Sequence, residues 1–405
     1  MTHKDAAIEI IKRLRHDGFT ALMAGGCVRD MLLGRAAKDY DVATSAHPEE
    51  VSKLFHRTIK VGAKFGVVIV LIKNVQVEVA TFRTEGGYLD GRHPSQVAFA
   101  DAKEDASRRD FTINGMFYDP IEEKMIDYVG GQKDVQRCVL RTIGDADTRF
   151  GEDYLRMLRA IRFSMQLGFE IEKATWLAIC KTAPHIRRIS GERIAMELET
   201  LLTHPNRGEG FSKLIESGLA VPIFSKVAAE QMKYGVSVVG RLRKRVDFSL
   251  ALAAVFAGCE VELAIEQCEA LKLSTDRYKH IRFLLGHRGV LLDADMPLAA
   301  LKKLMARPYF LDLYELQRAI QRAEKKPVSA LIKIKKRARA LAGENLTPTP
   351  LLNGHELITL GAIPGPQVGE LAEELYVEQL SGNLHTPHQA REWVKHWLTA
   401  HKAAQ

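Results

Sequence analysis

The spacing of apolar and polar residues divides the chain into a mixed first part and a helical remainder. Residues 5–17 put Ala7, Ile8, Ile10, Ile11 and Leu14 on one side at helical spacing and predict an amphipathic helix. A short apolar strand over 20–24 runs into Gly25-Gly26 and a second helix through Leu33, closed by Gly34. Residues 39–44 predict a strand, and 48–55 a helix with Ser45 as its cap. Two β-rich runs, 66–72 and 75–82, flank Lys73-Asn74, a hairpin turn by composition. From Asp147 onward helical periodicity dominates, as over 154–167, 174–182 and 192–202, and strand signals nearly vanish. The pattern predicts an α+β fold: a small mixed or antiparallel sheet flanked by helices, then an all-α remainder, with the boundary within 144–150. No fixed-period repeat or low-complexity linker interrupts it.

Length and composition narrow the function classes. A chain of 405 residues needs more than one core. Its 58 Lys and Arg against 50 Asp and Glu leave a formal charge of +8, which suits a polyanionic partner without proving one. The five cysteines are scattered and form no CxxC, which argues against a disulfide framework and against structural zinc. The histidines, among them His280, His287 and His355, have no metal-ligand spacing and read as surface or core positions. The charged start lacks the apolar stretch of a signal peptide, and no apolar run approaches the ~20 residues that span a bilayer. The expectation is a cytoplasmic protein with no membrane partner and no evident obligate protein partner. The run 325–339, KKPVSALIKIKKRAR, is read equally well as a solvated helix face or as an RNA clamp.

The chemistry concentrates in three places. Gly25-Gly26-Cys27-Val28-Arg29 joins a strand to a helix, so backbone N–H groups approach a phosphate closely and Arg29 adds a bidentate contact. Asp39 and Asp41 follow on the next predicted strand, two residues apart and hence on one face. Paired carboxylates repel unless a cation shares them, and magnesium takes such oxygen ligands together with substrate phosphates. A pair of such ions roughly 3.5–4 Å apart activates a 3′-hydroxyl and stabilises leaving pyrophosphate. An isolated DxD is weak; Gly-Gly, Arg and DxD in a strand–helix–strand context are specific. The second place is Arg108–Gly115, where Arg109 suits a triphosphate while Asp110 and Asn114 offer ribose contacts. In the third, Arg156, Arg159 and Arg162 form a helical stripe with Asp153 at its head. Such an acceptor and donor one turn apart match the edge of a base, a protein template in place of an opposing nucleotide.

These motifs, GGCVRDMLLG, KDYDVAT, RRDFTING, GEDYLRMLRAIRF and SGERIAMEL, resemble in order and register the bacterial class II tRNA nucleotidyltransferase and poly(A) polymerase family of the polymerase β-like superfamily. The resemblance implies Asp39 and Asp41 as Mg²⁺ ligands, and Gly26, Arg29 and Arg109 on the triphosphate. It implies Asp153 and Arg156 on the Watson–Crick edge of CTP or ATP, with Arg159 and Arg162 beside them. Arg193 and Glu197 match the motif that buttresses the base-reading helix, and Glu78 is a third carboxylate or a structural strand residue. Residues 84–94 resemble the loop that full CCA-adding members use to switch from C to A. Residues 351–357 and 365–369 resemble their tail, with two helices joined by a Gly/Pro turn. Met116-Phe117-Tyr118 departs from the Ala-rich continuation of most CCA-adding members and leans toward the polymerases.

The implied organisation is a catalytic head over 1–144, a helical neck over 145–205 that reads the base, and an all-α body and tail over 206–405 that bind tRNA. The expected activity is two-metal transfer of CMP and AMP from CTP and ATP to the 3′ end of tRNA. The alternatives are a poly(A) polymerase, an A-adding-only tRNA nucleotidyltransferase and, remotely, an inactive RNA-binding relative.

Overall fold

The computed structural model describes residues 1–62, 66–88 and 94–402. Helix α1 (His3–His16) opens on a capping box, in which Thr2 and Asp5 satisfy each other's backbone N–H. Strand β1 (Ala21–Ala24) leads into α2 (Gly26–Leu32), β2 (Asp41–Thr44) and α3 (Pro48–Leu54). Next come β3 (Thr58–Gly62), β4 (Val67–Ile72) and β5 (Val75–Thr81), then the hairpin β6 (Arg83–Tyr88) and β7 (Pro94–Phe99). Helix α4 (Ala102–Arg108), β8 (Met116–Asp119), β9 (Lys124–Asp127) and α5 (Gly131–Gln136) complete the mixed region.

Among the described residues seven strands form one sheet in the order β3-β4-β5-β2-β1-β8-β9. Only β2 and β5 run parallel; every other neighbouring pair in that sheet is antiparallel. The sheet is thus mixed, as the pattern predicts. Ala6, Ala7, Ile10, Ile11 and Leu14 of α1 are fully buried where the helix crosses β1, β2 and β5. Lys73 and Asn74 have φ of 47° and 69°, the doubly left-handed backbone that turns a tight hairpin.

Three local readings change. The strand predicted from residue 39 begins at Asp41, and Asp39 lies in the irregular segment before it. Ser45 does not cap α3: His47 does, its N–H donating to Glu50 at 2.7 Å, while Ser45 Oγ accepts from Thr20 N–H. Strands β3, β8 and β9 are absent from the pattern; β3 and β9 form the two edges of the sheet, and β8 lies between β1 and β9. For the predicted switching loop, residues 89–93 lie outside the described residues; its flanks are the paired strands β6 and β7.

The helical part begins after β10 (Val139–Leu140), with α6 (Ala146–Glu152) and α7 (Leu155–Leu167). Short β11 (Glu170–Ile171) pairs with β10, and α8 (Lys173–Thr182) and α9 (Gly191–Leu202) follow. The chain resolves into two compact units, residues 1–236 with 266–273, and residues 237–265 with 274–405. The sheet and α7–α9 belong to the first. In the second, helices Gly354–Thr359 and Pro366–Ser381 are joined by a turn through Gly361 and Gly365, as expected for the tail segment. They pack with Pro387–Lys402 around Leu357, Leu371, Leu375, Val394 and Trp397. The basic run forms the helix Ser329–Ala340, which buries Leu331 and Ile334 and directs Arg337 to the carbonyls of Ala294 and Met296. No helix among the described residues is long and apolar enough to cross a membrane.

Candidate active site

A cavity of about 530 Å³ in the first unit opens beside the β1–α2 junction. Gly25 turns the chain there with φ 73°, and a Cβ on it would stand 3.1 Å from Arg109 Nη1. Glycine is therefore required twice, by backbone shape and by the close guanidinium. The antiparallel register sets Asp41 opposite Ala24, next to the glycine turn. The parallel register pairs Val42 with Val79, so one step back Asp41 stands beside Glu78.

Both carboxylates line the cavity. Withdrawal from water, then the like charges of Glu78 and Asp39, push the Asp41 pKa up to about 6 against the opposing pull of Arg109. Burial, and next Asp41, raise the neighbouring Cys27 thiol to about 11, so it stays protonated and donates to the Ala24 carbonyl. An all-oxygen group held in such mutual repulsion fits a hard divalent cation, which would relieve it.

The arginines are held in place before any substrate arrives. Arg29 donates to Asn114 Oδ1 at 2.8 Å and to Asp30 at 2.7 and 2.9 Å. Arg109 donates to Asp105 at 2.9 and 3.1 Å and lies over the Phe117 ring. Asp105 holds Arg108 as well. Burial disfavours its charge, yet the two arginines keep its pKa below the usual range. Asp110 accepts from Arg159 at 2.6 and 2.9 Å and from Asn114 at 3.2 Å. Its burial strongly opposes ionisation, but the Arg159 charge and these hydrogen bonds outweigh that and bring its pKa to about 2. Asp110 and Asn114 thus couple Arg29 to Arg159 across two elements, a structural task that the ribose reading did not include.

Asp153 and Arg156, at the start of α7, both face the cavity. Asp153 accepts from Leu155 N–H at 3.0 Å and Arg193 Nη2 at 2.7 Å. Arg156 is buried, donating to Glu152 at 2.5 Å and to the carbonyls of Arg149 and Arg108. Arg162 points elsewhere: it donates to Glu197 at 2.6 Å and stacks 4.1 Å from the Phe163 centroid. The cavity therefore collects Gly26, Arg29, Asp41, Arg109, Asp153, Arg156 and Arg159, while Asp39 and Arg162 are outside its lining. Asp39 remains close enough for its charge to act on Asp41.

Two contributors escaped the sequence reading. Phe163 lines the cavity and carries the guanidiniums of Arg29, Arg159 and Arg162 around its ring. Its signal was an aromatic residue one turn beyond Arg159 in the arginine stripe. Asp105 precedes Arg108 and Arg109 by three and four residues, the helical spacing of an ion pair.

Known proteins resemble this chain in sequence and fold. Residues 21–141 match the model of the poly A polymerase head domain, and 168–231 that of the probable RNA and SrmB-binding site of polymerase A. A CCA-adding enzyme of Streptococcus mutans is 34% identical over 390 residues, 95% of this chain and 94% of its own. The chain belongs to the CCA-adding enzyme family. A second member, from Geobacillus kaustophilus, is 47% identical over 216 residues, and the chain spans about half its length, 53%. The Bacillus stearothermophilus CCA-adding enzyme, solved in complex with CTP, superposes with a TM-score of 0.84 at 28% identity, covering all of both chains. The α+β architecture of the chain is that of the family.

Proposed function

We propose that the protein transfers CMP and AMP from CTP and ATP to the 3′ end of tRNA, completing or repairing the CCA end in the cytoplasm. The observation that carries this reading is one cavity joining the glycine turn, Arg29, Arg109 and Asp41 to Asp153 and Arg156. Residues 1–144 serve as catalytic head, 145–205 as base-reading neck, and 206–405 as body and tail for tRNA.

Asp39 and Asp41 hold Mg²⁺ in this scheme, with Glu78 as a third carboxylate beside Asp41. When bound, such ions supply activation of the RNA 3′-hydroxyl and neutralise the departing pyrophosphate. Arg29 and Arg109 grip the triphosphate next to Gly26; their existing partners fix the guanidinium planes, so little rotamer entropy is lost on binding. Asp153 keeps unused lone pairs, and Arg156 part of its donor fork, for the edge of a cytosine or adenine. Arg159, fixed by Asp110, stands beside them, and Arg162 with Glu197 braces α7 against α9.

The residues that lean toward a poly(A) polymerase, Met116 to Tyr118, start strand β8, with Met116 and Phe117 fully buried. They pack the sheet and lie outside the cavity lining, so they bear on sheet stability. Incubation with Mg²⁺, single or paired nucleotides, and tRNA lacking its CCA end separates the products. Addition of C and then A, stopping there, is expected. Long A tails select the polymerase, A added only to tRNA ending in CC selects the A-adding specialist, and no incorporation selects the inactive binder.

A further inference from the structure

The second compact unit contains a side-chain group for which nucleotidyl transfer has no use. Asp247 caps the helix Phe248–Val255, His280 lies on the helix Thr275–Gly286, and Asp312 on the helix Phe310–Ala323. The three helices pack on one another. One ligand atom from each of these residues falls within 4.8 Å of the other two.

His280 is only 6% exposed, and its ring stacks on Tyr309 with centroids 3.9 Å apart and planes at 12°. Its Nε2 is buried with no hydrogen-bond partner among the described residues, although Asp312 Oδ2 lies 3.3 Å away. Its Nδ1 faces Asp247 Oδ2 at 3.6 Å, beyond a hydrogen bond. A buried ring nitrogen left unpaired is costly. The 3.3 Å between Nε2 and Asp312 Oδ2 is instead that of adjacent ligands on one cation, while Asp247, which faces the other ring nitrogen, would turn its carboxylate to join them. Donors bound at about 2.0–2.1 Å to a tetrahedral ion stand roughly 3.3–3.4 Å apart.

Asp312 is oriented for it, and one oxygen of Asp247 is held while the other stays free. Arg243 donates to Asp312 Oδ1 at 3.0 Å, leaving Oδ2 toward the ring. Leu250 N–H donates to Asp247 Oδ1 at 2.7 Å. Such contacts behind a ligand fix its direction. The Asp247 side chain is 53% exposed, which provides an entry path and room for water in the remaining coordination position.

We propose that Asp247, His280 and Asp312 form a binding site for a divalent transition-metal ion of the zinc type, tying the three helices together. An imidazole among the ligands suits zinc and its neighbours and disfavours magnesium, in contrast to the all-oxygen group of the nucleotide cavity. The inference rests on this unit alone and is independent of the transferase reading.

The test uses the full chain carrying Asp41→Asn, so that metal held by the nucleotide cavity does not contribute. After chelator treatment and exchange into metal-free buffer, the protein is titrated with Zn²⁺, and separately with Co²⁺ as a visible-absorption probe. Expected are retention of about one equivalent of Zn²⁺ and the intense Co²⁺ bands of a tetrahedral site. Both should be lost in His280→Gln and in Asp312→Asn while helical circular dichroism is retained. Should His280→Gln fail to fold, the near-isosteric Asp312→Asn decides. Absence of binding, or binding unchanged in Asp312→Asn, overturns the proposal. So does a Tm indifferent to Zn²⁺ that shifts only with protonation, which would mark a proton-bridged cluster.

Discussion

Replacing Asp110 by Asn removes one charge from the network that ties Arg29 to Arg159. The folded-state pKa of Asp110 is about 2, against an ordinary value of 3.8. A depressed carboxyl pKa stabilises the fold above the unfolded value, and this is lost as pH falls through the folded one. The difference, 3.8 minus about 2, at about 1.4 kcal/mol per unit, comes to about 2 kcal/mol at neutral pH. By about pH 3 roughly half of that is gone. The Arg159 side chain is 34% exposed, so water screens the arginine left behind. The loss should therefore stay near 2 kcal/mol rather than reach the ~3–5 kcal/mol of a fully buried broken pair. Amide exchange of the β1 and β8 peptides in a urea series reads the first unit alone. Wild type should exceed Asp110→Asn by about 2 kcal/mol at neutral pH and by about 1 kcal/mol at about pH 3. A difference that stays constant with pH would refute the reasoning, because shape and not ionisation would then be responsible.

Further outcomes follow from the same geometry. Asp41→Asn should lower turnover by several orders of magnitude in a radiolabelled-nucleotide assay. In metal-free buffer above the ordinary carboxyl pKa it should raise Tm by calorimetry, since a raised pKa signals a charge that opposes folding. Arg156→Ala should blur discrimination against GTP and UTP in competition assays; unchanged selectivity would remove it from base reading. Gly191→Ala would place a Cβ 2.1 Å from the Ala270 carbonyl oxygen. It should cost roughly 1–3 kcal/mol and free residues 266–273 from the first unit, seen as faster exchange of that peptide before any other.

Local features were legible from the chain by itself. The α1 stripe, the Gly25-Gly26 turn, the Lys73-Asn74 hairpin and the change to helical periodicity near residue 147 each depend on neighbours within a turn or two. Steric and capping preferences act at that range. The residue types suited to phosphate and metal were equally visible, since Gly-Gly, Arg and paired Asp were close together in sequence. What the chain could not reveal was register. Asp41 meets Glu78 because β2 and β5 pair in parallel, and a one-residue slip would separate them. Asp39 falls before the strand because pairing with β1 ends at Ala24, where the backbone turns away. Asp110 becomes an anchor for Arg159 only when α7 lies against the 110–114 loop. His280 meets Asp247 and Asp312 because three helices converge, so no linear spacing announces them. Periodicity determines which face of an element is buried; which faces meet is decided by long-range packing, and the cavity is a product of the second.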